Sequence, residues 1–148
     1  MMTFLPRTVT ALAFALLSTT AWADITVENA WVRATAGTGK VSAGYGVLVN
    51  SGPGDDQLLS VATTAAGMTE LHQSKEADGV MSMEAVKALT VPAGGRIEMK
   101  PGGYHLMMMN VAQPLKAGDA VTLTFTFKSN GTVTATAKVL PLATAAFE

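Results

Sequence analysis

Along most of the chain apolar residues recur at every second position, and turn residues interrupt the alternation at short intervals. A period of two puts successive side chains on opposite faces of a strand, whereas an amphipathic helix needs a period near 3.6. The clearest case is 121–127, where Val121, Leu123, Phe125 and Phe127 alternate with threonines. Residues 132–139 repeat the idea with Val133, Ala135, Ala137 and Val139, after a Ser129-Asn130-Gly131 turn. Asn130-Gly131 predicts a hairpin, because both residue types tolerate positive φ. Upstream, 25–33 and 43–50 read as strands, with a loop from Ser51 to Asp55 behind them. Strands over 57–64, 68–74 and 80–86 follow, the last two joined through 75–79 with Asp78-Gly79 as the turn signal. Pro92 to Gly95 breaks the chain before a strand at 96–100. Lys100-Pro101-Gly102-Gly103 then fits a tight turn, with Pro presetting φ and Gly accepting positive values, and leads into a strand at 104–111. No stretch after residue 23 carries a convincing helical pattern. Seven to nine short strands at this spacing predict one all-β domain, an antiparallel sandwich or Greek-key barrel.

The first 23 residues read differently. Arg7 supplies a positive start, Val9 to Leu17 is a short apolar run, and Ala21-Trp22-Ala23 has the small-x-small form of a signal-peptidase site. This predicts a leader over 1–23, cleaved after Ala23, export to the periplasm, and a single mature domain over 24–148. The apolar run is too short to cross a bilayer comfortably, so stable membrane insertion is not expected. With 10 Lys and Arg against 11 Asp and Glu, the chain shows no electrostatic footprint for nucleic acid. Cysteine is absent, which excludes a disulfide framework and leaves any soft-metal site to be built from other sulfur.

That constraint draws attention to His72, Met83, His105 and Met107, which follow the spacing H-x10-M-x21-H-x-M and include both histidines of the chain. Thioether sulfur is soft and neutral, and suits Cu(I) far better than Zn(II), Mg(II) or Ca(II). Strand geometry lets His105 and Met107 act together, since side chains at i and i+2 share a face roughly 6.5–7 Å apart. Met109 shares that face, while Leu106 and Met108 take the other, toward the core. His72 likewise shares a face with Met68, Glu70 and Ser74, and Met81 and Met83 share one on the next strand. Two hairpins meeting at one end of the barrel would gather the four residues. Four neutral ligands around Cu(I) leave a net positive charge, so the site is expected near the surface. The plainer reading is packing: Met fills irregular gaps in β-cores, and a single strand histidine is usually ordinary. Met99 and Met108 are expected in the core, with Met68, Met81 and Met109 as spares beside the site. On residue chemistry alone, a metal site and ordinary packing both stay open.

The segments Glu70-Leu71-His72, Gly79-Val80-Met81-Ser82-Met83 and Tyr104-His105-Leu106-Met107-Met108-Met109, the last after Lys100-Pro101-Gly102-Gly103, resemble the PCu(A)C family of periplasmic copper chaperones. The family motif is matched without a gap at His72, Met83, His105 and Met107, and the resemblance runs from Ala30-Trp31-Val32-Arg33 to the final Thr-rich strands. It implies a cupredoxin-like β-barrel that binds one Cu(I) per chain; a monomer is expected. It also implies delivery to the binuclear copper centre of cytochrome c oxidase, the recipient being an oxidase subunit or a thiol-bearing assembly protein. Some relatives add a His/Met-rich C-terminal tail; Pro141 to Glu148 has no such residues.

Rival functions fare less well. An electron-transfer cupredoxin uses a His2Cys site, which a chain without cysteine cannot form. No G-x-S-x-G elbow and no H-E-x-x-H appears, so an enzyme is not expected. Asp55-Asp56 lies in a Gly/Pro loop and reads as a solvated turn rather than a catalytic pair. Glu70 fits either an outer partner orienting a ligand histidine or a solvent-facing carboxylate. A periplasmic copper buffer using the same site for storage, or an Ig-like interaction domain, would carry the same strands.

Overall fold

The computed structural model describes residues 23–37 and 40–147. Of the leader expected over 1–23, residues 1–22 lie outside the described residues, and its last residue, Ala23, packs against the core. Among the described residues no helix is long and apolar enough to cross a membrane. The elements are all strands: β1 Ile25–Arg33, β2 Ser42–Asn50, β3 Asp56–Ala62, β4 Ala66–Ala77, β5 Val80–Ala85, β6 Leu89–Val91, β7 Arg96–Met99, β8 Tyr104–Val111, β9 Ala120–Phe127 and β10 Gly131–Leu140. They form one sheet in the order β5-β4-β8-β2-β1-β10-β9-β3-β6, with β7 paired to β2. The sheet wraps round its core but stays open. β3 and β4 approach each other across a cavity of about 360 Å³ lined by Leu58–Val61 and Thr69–Leu71.

The alternation seen in the sequence is what builds the core. Val121, Leu123, Phe125 and Phe127 of β9 are buried while Thr122 is exposed and Thr124 and Thr126 are half-buried. Leu106 and Met108 of β8 are fully buried, and Met99 joins them. Every side chain of this kind trades water contact for close packing, roughly 1.5–3 kcal/mol for each fully buried Leu, Val, Phe or Met.

Several elements differ from the expectation. The β4–β5 hairpin is tighter than a loop over 75–79: β4 runs on to Ala77, and only Asp78 (φ 52°) and Gly79 (φ 74°) make the turn. Positive φ at both central residues is the I′ geometry, whose twist matches the flanking strands. The second hairpin does not use its Asn-Gly pair this way. Phe127 pairs with Gly131, and among Ser129, Asn130 and Gly131 only the glycine has positive φ, at 75°. The backbone N–H groups of Ser129 and Asn130 instead donate to the Asp56 carboxylate, at 2.8 and 2.7 Å. Asp56 is therefore a buried clip, not a solvated turn residue. One pairing is parallel, β1 with β10 through Trp31↔Lys138, Val32↔Val139 and Arg33↔Leu140.

On the outer face of β1 and β2 the rings of Trp31 and Tyr45 pack with centroids 4.4 Å apart, and both are almost fully buried. The C-terminal segment covers this face. Arg33 Nη2 donates to the Thr144 carbonyl at 3.1 Å, and Lys138 Nζ lies 5.3 Å from the centroid of the Phe147 ring.

Candidate metal centre

The β4–β8 ladder decides which side chains meet. In its register His72 faces His105, Glu70 faces Met107 and Met68 faces Met109. Cross-strand partners share a face, so these six side chains form three successive rungs on one side of the sheet. On the other edge of β4, Met83 pairs with Ser74, one rung beyond His72, and Met81 pairs with Glu76. On the other edge of β8, Ala43 of β2 pairs with Met107. His72, Met83, His105 and Met107 thus lie on neighbouring strands of one ladder, β5-β4-β8, rather than on two hairpins meeting at a barrel end.

The two imidazoles are held in complementary ways. Their ring centroids lie 5.9 Å apart at an interplanar angle of 48°. His105 is buried, and its Nδ1 is 3.1 Å from the Gly103 carbonyl oxygen. A carbonyl only accepts, so Nδ1–H donates and the free lone pair falls on Nε2. That Nε2 is buried and has no partner. For His72 the roles are reversed: Nε2 is 3.0 Å from Glu70 Oε2, which makes Nε2–H the donor to the carboxylate. Its Nδ1 is then the lone-pair atom, and it too is buried without a partner. Leaving a buried nitrogen unmet costs about 1–3 kcal/mol, so two on facing rings call for an explanation. An imidazole with one N–H anchored to an oxygen acceptor and the other nitrogen bare is the arrangement that metal-binding histidines use.

The sulfur sits at the rim. Met107 is half-buried, whereas Met83 and Met81 are each 60% exposed. Met83, Met81, Met107 and His105 line one open cavity of about 340 Å³, together with Ser74, Ala43, Tyr45, Pro101, Gly102 and Arg33. His72 does not line it; its ring lies beside that of His105 and is held by Glu70. Among the described residues no three His, Cys, Asp or Glu side chains come together as a metal cluster. The further donors that the cavity offers beside His105 are the thioethers of Met81, Met83 and Met107, and thioether sulfur suits a soft ion. Of the spares, Met81 lines the cavity and Met68, 48% exposed, pairs with Met109, while Met99 and Met108 lie in the core as expected. Arg33 and Tyr45 are the lining residues that the sequence reading missed. Burial raises the Tyr45 phenol above its ordinary pKa, against the opposing pull of the Arg33 cation. No pattern around either residue marks it as part of a site, since both belong to strands far from the histidines in sequence.

Residues 25–139 match the family model described as "Putative lipoprotein LpqE-like". The fold matches the copper-bound PCuAC domain from PmoF2, with a TM-score of 0.68 and 25% identity over 82% of this chain and 97% of that one. The chain belongs to the LpqE-like (PCuAC) family. A second PCuAC relative is the Cu(I) form of DR1885 from Deinococcus radiodurans, matched with a TM-score of 0.59 and 28% identity over 77% of this chain and 78% of that one. The all-β fold described above is thus the cupredoxin-like fold of PCuAC domains. "Putative lipoprotein Lxx21020" of Leifsonia xyli subsp. xyli (strain CTCB07) is 33% identical over 109 residues, 73% of this chain. This chain spans 64% of that relative's length.

Proposed function

We propose that this PCuAC-family chain is an exported copper metallochaperone, not an enzyme, which binds one Cu(I) through His72, Met83, His105 and Met107. Its cargo goes to assembly of the binuclear copper centre of cytochrome c oxidase, taken up by an oxidase subunit or a thiol-bearing assembly protein. It works as a monomer in the periplasm, after cleavage behind Ala23. The observation that carries the reading is the pair of facing imidazoles, each anchored through one nitrogen and bare at the other, beside a thioether-lined cavity. The copper-bound state of PCuAC relatives supports it. Glu70 then acts as the outer partner that fixes the His72 tautomer.

Two neutral imidazoles and two thioethers hold Cu(I) without thiolate, which would bind harder and oxidise outside the cytosol. The exposed Met83 is the ligand that an incoming acceptor displaces first. The test is an anaerobic competition titration against a coloured Cu(I) chelator, followed by transfer to the soluble copper domain of an oxidase subunit. One tightly held equivalent that moves to the acceptor supports delivery. One equivalent that stays put under excess acceptor points to storage, and no competition at all removes the copper reading.

Two further outcomes are expected. Met107→Leu keeps volume and apolarity, so thermal unfolding should shift little while Cu(I) affinity falls at least about tenfold. If affinity stays at the parent value, the ligand must be reassigned, with Met109 first in line. Cu(I) affinity should also weaken as pH falls from 8 to 5, because protons compete with the metal for the imidazole nitrogens. A flat competition profile from pH 8 to 5 would count against histidine ligation.

A further inference from the structure

The cavity in front of the two histidines has an unusual charge balance. Among the described residues Arg33 is the one charged side chain in its lining, and no carboxylate lines it. Arg33 makes no salt bridge among the described residues. Its Nη2 donates to the Thr144 carbonyl at 3.1 Å, and its guanidinium carbon lies 5.6 Å from the centroid of the Tyr45 ring. Its Nε is buried and has no partner. Among the described residues, neutral oxygen and an aromatic face tether this cation and no carboxylate neutralises it. Loading Cu(I) on neutral ligands of the same lining adds a second positive charge to the cavity. Two like charges in a partly desolvated cavity repel each other, and an anion lying between them meets both.

We propose that Arg33 is an anion-docking position at the mouth of the metal site, where a small soft monoanion, a thiolate, lies against the guanidinium as it ligates Cu(I). The inference rests on the copper reading above and deepens it by naming the charge class of the incoming ligand. In the exchange the thiolate sulfur donates an electron pair to copper and the Met83 thioether leaves as a neutral group. Copper stays Cu(I), and the thiol's proton has already gone to solvent. Arg33 is a positioning residue in this step: the guanidinium attracts the anion by charge and hydrogen bonding, and has no such hold on a neutral thioether or imidazole. A halide has the same chemistry and would compete for the place.

The test uses the full chain, with parent, Arg33→Gln and Arg33→Lys each titrated for Cu(I) first. In halide-free, thiol-free buffer Arg33→Gln should hold Cu(I) about three- to tenfold more tightly, because a repelling charge is gone. Damage to the site would move affinity the other way. The loaded proteins are then titrated with N-acetylcysteamine, followed by thiolate-to-copper absorption, and with N-acetylmethionine amide as the neutral control, at fixed ionic strength. Arg33→Gln should weaken the thiolate response about tenfold and leave the thioether response alone, and Arg33→Lys should restore most of it. Chloride that competes in an Arg33-dependent way identifies a free halide as an occupant; thiolate response without chloride competition assigns the place to an acceptor's thiolate. Cu(I) retained with a thiolate response indifferent to Arg33, or thiolate and thioether weakened alike, overturns this inference alone. Failure of the parent to retain Cu(I) overturns the copper reading itself.

Discussion

Replacing His105 by alanine will lower Cu(I) affinity by well over 100-fold, a loss that removal of a mere outer partner of a metal ligand only approaches. The size of the effect follows from position. His105 is the one histidine that lines the cavity, its Nε2 is bare and buried there, and its Nδ1 is fixed by the Gly103 carbonyl. The same carbonyl accepts the backbone N–H of Ser74 at 3.1 Å, so the anchor also ties the turn before β8 to β4. Because His105 is buried, the alanine variant will lose some stability, and a second variant separates the effects. His105→Gln offers an amide of comparable reach that can still donate to Gly103 but supplies no imidazole nitrogen to the metal. Stable His105→Gln without Cu(I) binding, measured by chelator competition, assigns the loss to the ligand. Parent-like binding by that variant would remove His105 from the set.

How much of this centre is legible in the sequence depends on which physical rule is asked. Period two suffices to separate His105 and Met107 from Leu106 and Met108, because strand side chains must alternate and the apolar pair is fully buried. It cannot say which strands are neighbours. β4 and β8 are separated by three other strands in the chain, and the His72↔His105 rung exists only through their pairing. The expectation of hairpins meeting end to end failed for that reason. Direction is equally silent in an alternating pattern, and the parallel β1–β10 pair is the consequence.

Short or solvated elements hide as well. β6 is only Leu89–Val91 and runs into Pro92, too brief for any periodicity to register. The far half of the β4–β5 hairpin is exposed on both faces, so Lys75, Glu76 and Ala77 give no apolar signal although they are strand. Arg33 was overlooked because its significance lies in what surrounds it. A half-buried arginine is ordinary; one that lines a cavity with no carboxylate among the described residues is not.

Asp56→Ala should cost about 3 kcal/mol in urea unfolding, the largest stability loss expected from any charged residue here. The carboxylate is 3% exposed and accepts three backbone N–H groups: Gln57 and Ser129 on Oδ1, both at 2.8 Å, and Asn130 on Oδ2 at 2.7 Å. Hydrogen bonds to a charged acceptor are worth about 1.5–3 kcal/mol each, and water will reach part of the turn once the side chain is cut back. Two of the three donors belong to the β9–β10 connection, so Asp56 locks that turn onto the start of β3. Asp56→Asn keeps the Oδ1 acceptor but turns an NH2 group toward the Asn130 donor, and should recover only part of the loss. Asp55 accepts a single backbone N–H, from Ala93 at 2.8 Å in an exposed setting, and its alanine variant should cost about 1 kcal/mol. An unchanged m-value with a lowered midpoint would confirm that the native state alone is affected. Asp56 contacts none of the four candidate ligands, so chelator competition should return parent-like Cu(I) affinity wherever the variant is folded. Equal stability of the Asp56 and Asp55 variants would mean the clip is replaced by water, and that the β9–β10 turn is held by its own ladder alone.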